Sequence, residues 1–253
     1  SMTFKEVDKY LQNLELKSYP IKEIFETIKS ISSLQSEGIF ADQWSDNYYD
    51  DLELLKHPET GEKISLLDCY VDITYQRLLR LKVLVDHLRA KGVDGEPLEY
   101  DKMCAGSIDI AIRPDGEIFV WDGFRRSLIA LLKGIKYPSF SIFKHSKKDS
   151  IKKCRGRESF AFKKRNGDNE AMAKEELYKA GIFFSNPKDL ETKDALSECK
   201  LDVLKTIPDA KQTLQGFAIF EKSLHSHLIG KEHLVTAARL FRNSWTKDST
   251  VAG

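Results

Sequence analysis

The most regular hydrophobic pattern in the chain lies between residues 106 and 135. In residues 108–113 isoleucine alternates with polar or small side chains, which is the period of a half-buried strand. The Pro-Asp-Gly sequence at 114–116 supplies turn chemistry, since proline fixes φ and glycine tolerates positive φ. Residues 117–121 are mostly apolar and aromatic, which suits a returning strand. The pattern therefore predicts a β-hairpin.

A helix follows the predicted hairpin, and its first turn carries two arginines. Asp122 and Gly123 interrupt the second strand, and apolar residues then recur with helical spacing until Gly134. Arg125 and Arg126 stand where the helix dipole is already positive and cations are unfavourable. Together with the free N–H groups of a helix start, they predict an anion site. The alternative is that Asp122 only caps the helix and that both arginines are solvated.

The rest of the pattern predicts helices around a small sheet. It indicates helices in 3–36 and 78–88, a strand or loop in 64–72, a third strand in 139–143, and helices at 168–181, 188–205, 208–229 and 231–245. This order predicts an α+β fold, a small mixed sheet with packed helices. We divide the chain into a helical extension with a capping loop (2–63), an α+β domain (64–145), a basic linker (146–167) and a helical C-terminal subdomain (168–253).

Composition places the chain in a broad class. It is 41% hydrophobic and 31% charged, as in a soluble globular protein, and no apolar run approaches the ~20 residues that cross a bilayer. We therefore expect no membrane partner. The four cysteines are far apart and form no Cys-x-x-Cys pair, which favours a reducing, cytoplasmic location. The net charge of +1 limits any nucleic-acid binding to local patches.

One such patch is the segment 144–165, where ten lysines and arginines face only two acids. Phe160 and Phe162 interrupt it and offer aromatic rings for stacking. The segment predicts contact with a DNA backbone. The contacting residues would be Lys152, Lys153, Arg155, Arg157, Lys163, Lys164 and Arg165. The alternative is a solvated linker between subdomains.

Familiar catalytic motifs are missing from the sequence. It contains no P-loop, no Gly-x-Gly-x-x-Gly run and no Gly-x-Ser-x-Gly elbow. His225 and His227 are two residues apart in a predicted helix, so they point in different directions and cannot easily share an ion. We therefore predict no metal site. The acidic and aromatic residues of 42–53 predict a capping loop.

The corner Asp122-Gly123-Phe124-Arg125-Arg126 resembles the core motif of the ParB/sulfiredoxin superfamily. Asp72–Arg77 resembles that family's segment before its helix, and Gly106-Ser107-Ile108 resembles its strand start. The likeness covers residues 70–145. It implies a ParB/sulfiredoxin-like fold that binds ATP or CTP, as triphosphate or diphosphate, with Mg²⁺ as a companion ion.

The resemblance also implies roles for individual residues. Phosphates would contact the corner, with help from the lead-in segment and the strand start; the residues are Gly123, Phe124, Arg125, Arg126, Arg77, Gln76 and Ser107. Asp122 would hold Mg²⁺ or accept a proton, with Asp72 as a second candidate base. Phe124 stands where sulfiredoxins have cysteine and the chromosome-partition proteins have glutamate. Gln76 and Arg77 stand where the free serine kinases have glutamate. These departures favour binding over catalysis.

Three functional hypotheses follow. The first is a ParB-like nucleotide-binding protein that acts on or beside DNA, with NTPase or phosphoryl-transfer activity. The second is a small-molecule kinase of the free-serine-kinase type, in which the loop 42–53 closes over the acceptor. The third is a non-enzymatic DNA-binding or assembly module built on the C-terminal helices. Self-association is left open in all three.

Overall fold

The computed structural model describes residues 1–45, 56–167, 174–202, 212–213, 217–226 and 230–241. The chain forms two compact units, Ser1–Asn169 and Glu170–Gly253. Most of the predicted capping loop, from residue 46 onward, and the start of the predicted helix at 168 lie outside the described residues. Each unit has a hydrophobic core of its own.

A mixed five-stranded sheet forms the centre of the first unit. Its strands are β1 (Ser18–Pro20), β2 (Cys69–Asp72), β3 (Ile108–Ile112), β4 (Ile118–Asp122) and β5 (Phe140–Lys144). Their spatial order is β1-β2-β4-β3-β5. β1 pairs antiparallel with β2 and β3 antiparallel with β4, whereas β2–β4 and β3–β5 are parallel. The predicted α+β class, a mixed sheet with packed helices, is confirmed.

Helices pack around this sheet. They are α1 (Phe4–Gln12), α2 (Ile21–Lys29), α3 (Ser32–Glu37), α4 (Leu81–Arg89), α5 (Lys102–Ala105), α6 (Phe124–Leu132) and α7 (Ile151–Gly167). The N-terminal residues belong to the central core, where Leu11 and Ile28 join the same buried cluster as Ile110 and Val120. β1 adds a strand to the sheet edge. Residues 2–45, which belong to the helical extension predicted over 2–63, are thus an integral layer of this unit.

The hairpin and the helix after it form where the sequence predicts them. Gly116 in the turn has φ 87°, and Asp115 accepts a hydrogen bond from the main-chain N–H of Glu117 at 3.0 Å. Gly134, just after α6, has φ 83°, and a Cβ there would lie 2.6 Å from the carbonyl oxygen of Gln43. Only glycine fits this position, because both the backbone angle and the close approach exclude a side chain.

Strand β3 departs from the prediction of a half-buried strand, since all five of its residues are buried. Its isoleucines face the hydrophobic core, and α7 covers the opposite face. The segment predicted as a basic linker is therefore a helix of 17 residues packed in the first unit. Its buried positions, Cys154 and Glu158, are four residues apart on one helix face. The inward face of α7 carries charged residues instead of an apolar stripe. The sequence of the segment therefore lacks the hydrophobic periodicity that is typical of a packed helix.

The second unit is mainly helical. Its described elements are α8 (Lys174–Phe183), α9 (Pro187–Glu198), β6 (Leu201–Asp202), β7 (Gln212–Thr213), α10 (Phe217–His225) and α11 (Lys231–Phe241). The helix predicted over 188–205 ends earlier, because Lys200 adopts φ 54° and β6 then pairs parallel with β7. Among the described helices of the whole chain, none has the length and apolar character to cross a membrane.

Candidate functional site

An open cleft of about 660 Å³ lies at the start of α6. Its walls are the first turn of α6, the segment 76–80 that leads into α4, and the last turns of α7. Predicted site residues come together here: Gln76, Arg77, Asp122, Gly123, Phe124, Arg125 and Arg126 all line it. The described lining also includes Arg80, Phe162, Arg165 and Asn166, together with the apolar residues Leu78, Leu79 and Val83. The sequence assigned Arg165 to DNA contact and did not single out Arg80 or Asn166.

The start of α6 is not capped by a described side chain. Gly123 is the N-cap residue, with φ 102°, and it offers no side chain. The alternative in which Asp122 caps the helix is therefore wrong. Its carboxylate lies instead 3.3 Å from Nη1 of Arg165 and 3.9 Å from Nη2 of Arg126. The first N–H groups of α6 stay available to a ligand at the positive end of the helix dipole.

Arg126 has a structural role. Its Nη1 donates hydrogen bonds to the carbonyl oxygens of Ala105 (2.9 Å) and Ser107 (3.0 Å), which fixes the segment before β3. Ser107 thus takes part through its carbonyl, and it is not among the residues that line the cleft. A Cβ on Gly123 would lie 3.0 Å from the Arg126 guanidinium, so the glycine lets this arginine fold back.

Three other arginines of the cleft are exposed and uncommitted. Their side chains, those of Arg77, Arg80 and Arg125, make no hydrogen bond or ion pair with any residue in the described part of the chain. Arg77 and Arg80 are three residues apart in the segment that leads into α4, and Arg125 lies in the first turn of α6. Unpaired guanidinium groups around one concavity are available to an anionic ligand.

Two carboxylates stand side by side at the edge of the cleft. Asp109 of β3 and Asp122 of β4 are register partners, and the Arg165 guanidinium bonds to both. The same guanidinium lies 4.6 Å from the ring centre of Trp121. Burial raises the pKa of Asp109, and the charge of Asp122 adds to this effect, although Arg165 partly offsets both. The sequence did not single out Asp109, because an aspartate on an outward strand position usually faces solvent.

A second group of charges on the same face of the sheet is fully buried. The Arg113 guanidinium bonds to both carboxylate oxygens of Glu158 (3.0 and 2.9 Å) and to Asp72 (2.9 Å). Its plane lies 3.4 Å from the ring centre of Phe119. Tyr75 donates its hydroxyl to Glu158 at 2.8 Å. This buried network joins α7 to the sheet.

The network also removes Asp72 from the cleft. Its carboxylate accepts hydrogen bonds from Thr74, Arg113 and Arg155, and its side chain has no exposed surface. Burial by itself would raise the pKa of Asp72, but these hydrogen bonds outweigh it and lower the pKa. A general base that works near neutral pH needs the opposite shift. The geometry therefore does not support Asp72 as a base.

Gln76 lines the cleft, but its amide is occupied. Nε2 donates to the carbonyl oxygens of Trp121 (2.8 Å) and Val120 (3.3 Å), and the residue is buried. Phe124 is 4% exposed and packs in the core, so only its main chain faces the ligand side. Of the predicted phosphate contacts, the side chains that can reach a ligand without breaking a described interaction are those of Arg77 and Arg125.

The predicted DNA-contact residues fall on two faces of α7. Arg155 and Arg165 turn inward to aspartates of the sheet. The others are exposed: Lys152, Lys153, Arg157, Lys163 and Lys164. Lys153 forms an ion pair with Asp149 at 2.8 Å, and the Arg157 guanidinium lies 4.6 Å from the ring centre of Phe143. The outward face of the helix thus keeps a basic surface.

In the second unit, His225 is part of the packing. Its Nε2 lies 2.8 Å from the hydroxyl of Thr192, and its Nδ1 lies 3.8 Å from Glu191. His227 lies outside the described residues.

Comparison with protein-family models, with curated proteins and with solved structures gives no match to this chain.

Proposed function

We propose that the cleft at the start of α6 binds the phosphate groups of a nucleotide. One observation carries the proposal: three uncommitted arginines and an uncapped helix start surround the same concavity. Guanidinium groups bind phosphate oxygens in pairs, and helix N-termini present N–H groups to the same oxygens. Both features point to an anion with several oxygens.

The charge balance of the cleft supports this ligand class. Its described lining contains five arginines and one aspartate. Arg165 and Arg126 are engaged by carboxylates or carbonyls, which leaves the charges of Arg77, Arg80 and Arg125 unbalanced. Binding an anion here relieves cation–cation repulsion, so the affinity should decrease as salt increases.

A nucleotide fits better than free phosphate for two reasons. The cleft is within the size range of small-molecule sites, about 300–1,000 Å³. Leu78 and Phe162 give part of its wall an apolar character that a base or ribose can contact. The resemblance of 122–126 to the ParB/sulfiredoxin corner supports the same ligand, with ATP or CTP as the first candidates.

Binding is the primary activity that we propose, and turnover comes second. Asp122 would have to hold Mg²⁺ or accept a proton, yet its carboxylate is neutralised by Arg165. NTPase or phosphoryl-transfer activity therefore requires Arg165 to leave Asp122 when the nucleotide enters. The kinase hypothesis relies on a loop that lies largely outside the described residues, and no described contact favours it.

The test is calorimetric titration of the full chain with ATP, CTP and ADP, with and without Mg²⁺. Arg125→Ala should weaken binding roughly 10- to 100-fold, since a charge-assisted hydrogen bond contributes about 1.5–3 kcal/mol. Arg77→Ala should act in the same direction. Lys5→Ala, which removes an exposed cation from α1, is the matched control and should bind like the parent protein.

Two results would overturn the proposal. One is the absence of heat and of any rise in melting temperature with all three nucleotides at millimolar concentration. The other is binding that survives in the double variant Arg77→Ala/Arg125→Ala, since the ligand would then occupy another place. Arg126→Ala is a poor probe, because that side chain holds the segment before β3.

A second function, contact with DNA, is favoured by the outward face of α7. Phe160 is 68% exposed there, between lysines 152 and 163 that have no partner in the described part of the chain. Cations track phosphates and an exposed ring can stack on a base. Taken together, the cleft and the outward face of α7 support a nucleotide-binding protein that acts on or beside DNA.

Fluorescence anisotropy with a labelled DNA oligonucleotide tests this face. Affinity should decrease steeply with salt, and Lys152→Ala/Lys163→Ala should reduce the slope of log K against log salt by roughly 1–2, one for each lost phosphate contact. Lys5→Ala is again the control. Salt-independent binding, or a double variant that binds like the control, would leave the basic face without this role.

A further inference from the structure

A buried ring nitrogen in the first unit has no hydrogen-bond partner among the described residues. His145 follows β5 and is 3% exposed. Its Nε2 lies 2.9 Å from Oε2 of Glu158, but its Nδ1 is buried and makes no hydrogen bond in the described structure. A buried polar nitrogen without a partner destabilises the folded state, so it needs an explanation.

Two further ligand-type side chains lie beside this histidine. Asp149 is in the turn before α7, and Cys154 is in the first turns of α7 and is completely buried. One ligand atom from each of His145, Asp149 and Cys154 lies within 4.8 Å of the other two. The short connection between β5 and α7 therefore folds an imidazole, a carboxylate and a thiol around one point.

We propose that His145, Asp149 and Cys154 bind a divalent transition metal, with Zn²⁺ as the best match. Thiolate, imidazole and carboxylate together are ligands of zinc, whereas magnesium and calcium take oxygen alone. Three protein ligands leave a fourth tetrahedral position for water or an exogenous ligand. The sequence analysis predicted no metal site.

The surroundings of His145 fit this role. Histidines that bind metals usually donate their second ring N–H to a carboxylate, which fixes the tautomer and orients the ring. Glu158 is such a carboxylate, and Arg113 and Tyr75 hold it in turn. With Nε2–H directed to Glu158, Nδ1 carries the lone pair, and this is the atom that has no partner.

Binding requires a small local adjustment. Ligand atoms around a tetrahedral zinc lie roughly 3.3–3.8 Å apart, given metal–ligand distances of about 2.0–2.3 Å. Because the three ligand atoms lie within 4.8 Å of one another, they must approach each other by up to about 1.5 Å. Asp149 can make this movement by exchanging its ion pair with Lys153 for the metal. Its side chain keeps 14% of its surface exposed and offers the metal a route from solvent. Metal binding displaces the thiol proton of Cys154, which is released to solvent, so that the ligand is the thiolate.

Such a metal would fasten β5 to α7, next to the buried network and apart from the residues that line the cleft. A ligand that binds only the folded chain stabilises it by mass action. The proposal therefore predicts that zinc raises the melting temperature of the protein in the absence of any nucleotide. It does not depend on the nucleotide proposal.

Cobalt(II) is the most direct probe, because tetrahedral cobalt–thiolate sites have visible d–d bands and a near-ultraviolet charge-transfer band. The chelator-treated full chain should bind one Co²⁺ with both signatures, and Zn²⁺ should displace it. Cys154→Ser should abolish the charge-transfer band, and Asp149→Asn should weaken binding at least roughly tenfold. Cys104→Ser, which changes an exposed cysteine outside the cluster, is the control and should bind like the parent.

Asp149→Asn keeps the test decisive if Cys154→Ser folds poorly, since Asp149 lies near the surface. An intact chain that shows no thiolate band with cobalt would overturn the proposal. So would a band that persists in folded Cys154→Ser, or a cobalt affinity that is unchanged in Asp149→Asn.

Discussion

The buried network and the open cleft lie on the same face of one sheet, and arginine supplies the positive charge in both. In the network, Arg113 bonds to Asp72 and Glu158, and the three side chains are almost completely shielded from water. In the cleft, Arg77, Arg80 and Arg125 are exposed and have no partner in the described part of the chain. The cation is the same in the two regions, but its accessibility and its pairing differ.

Because of this difference, we assign a structural role to the buried network and a binding role to the cleft. A buried arginine with satisfied hydrogen bonds has no donor left for a ligand, and removing it leaves charges stranded in the core. An exposed arginine without a partner contributes little to stability, because water already solvates it. α7 links the two regions, since Glu158 enters the network and Arg165 reaches the edge of the cleft.

The largest expected effect comes from breaking the network at its centre. Arg113→Met keeps much of the side-chain volume but leaves buried Glu158 without a guanidinium partner and leaves buried Asp72 with Arg155 as its remaining arginine partner. We expect a loss of about 3–5 kcal/mol in the free energy of unfolding, the usual result of removing one member of a buried ion pair. Urea unfolding followed by tryptophan fluorescence measures it, because Trp44 and Trp121 belong to the first unit. A loss below about 1 kcal/mol would mean that the network does not hold α7.

Acid should weaken the same network through Asp72, whose pKa is lowered in the folded protein. The carboxylate then contributes stability at pH values above its ordinary pKa of 3.8, and this contribution is lost as the pH decreases through the lowered folded value. We expect the unfolding free energy to decrease between about pH 5 and about pH 2. Asp72→Asn should show a shallower decrease over this range, although it is less stable at pH 7. Parallel pH profiles of the two proteins would contradict this assignment.

The smallest effect on stability is expected in the cleft. Arg125→Met makes the same chemical change as Arg113→Met at an exposed position, and we expect it to alter the unfolding free energy by no more than about 0.5 kcal/mol. Its effect should appear in nucleotide affinity instead. If Arg125→Met destabilised the protein as much as Arg113→Met, the contrast between the two regions would fail.

Local chemistry was sufficient to predict the corner of the cleft. The alternation of 108–113, the Pro-Asp-Gly turn and the helical spacing after Gly123 each depend on neighbours within a few residues. The hairpin and α6 consequently form as predicted, and Arg125 lies at a helix start. The structural role of Asp72, which the sequence suggested as a second candidate base, could not be predicted in the same way, because its partners Arg113 and Arg155 are distant in sequence.

The role of the basic segment could not be read from its composition. Its inward positions are Cys154, Glu158 and Arg165, which resemble the surface of a solvated helix rather than a buried face. These positions face the sheet because Asp109 of β3 and Arg113, which follows β3, need partners for their charges. Cys154 and Glu158 are buried there, and Arg165 stays partly exposed. Charge complementarity between segments that are about 45 residues apart leaves no periodic signal in either segment.

The sequence by itself determined the elements of this protein: the hairpin, the helix after it, the glycines at positive φ and the arginines at the helix start. These follow from backbone sterics and from short-range hydrophobic periodicity. Only the tertiary structure decided which charges are buried and which stay free. Pairing and desolvation depend on what covers each side chain, and here the covering element is a helix docked through its charges.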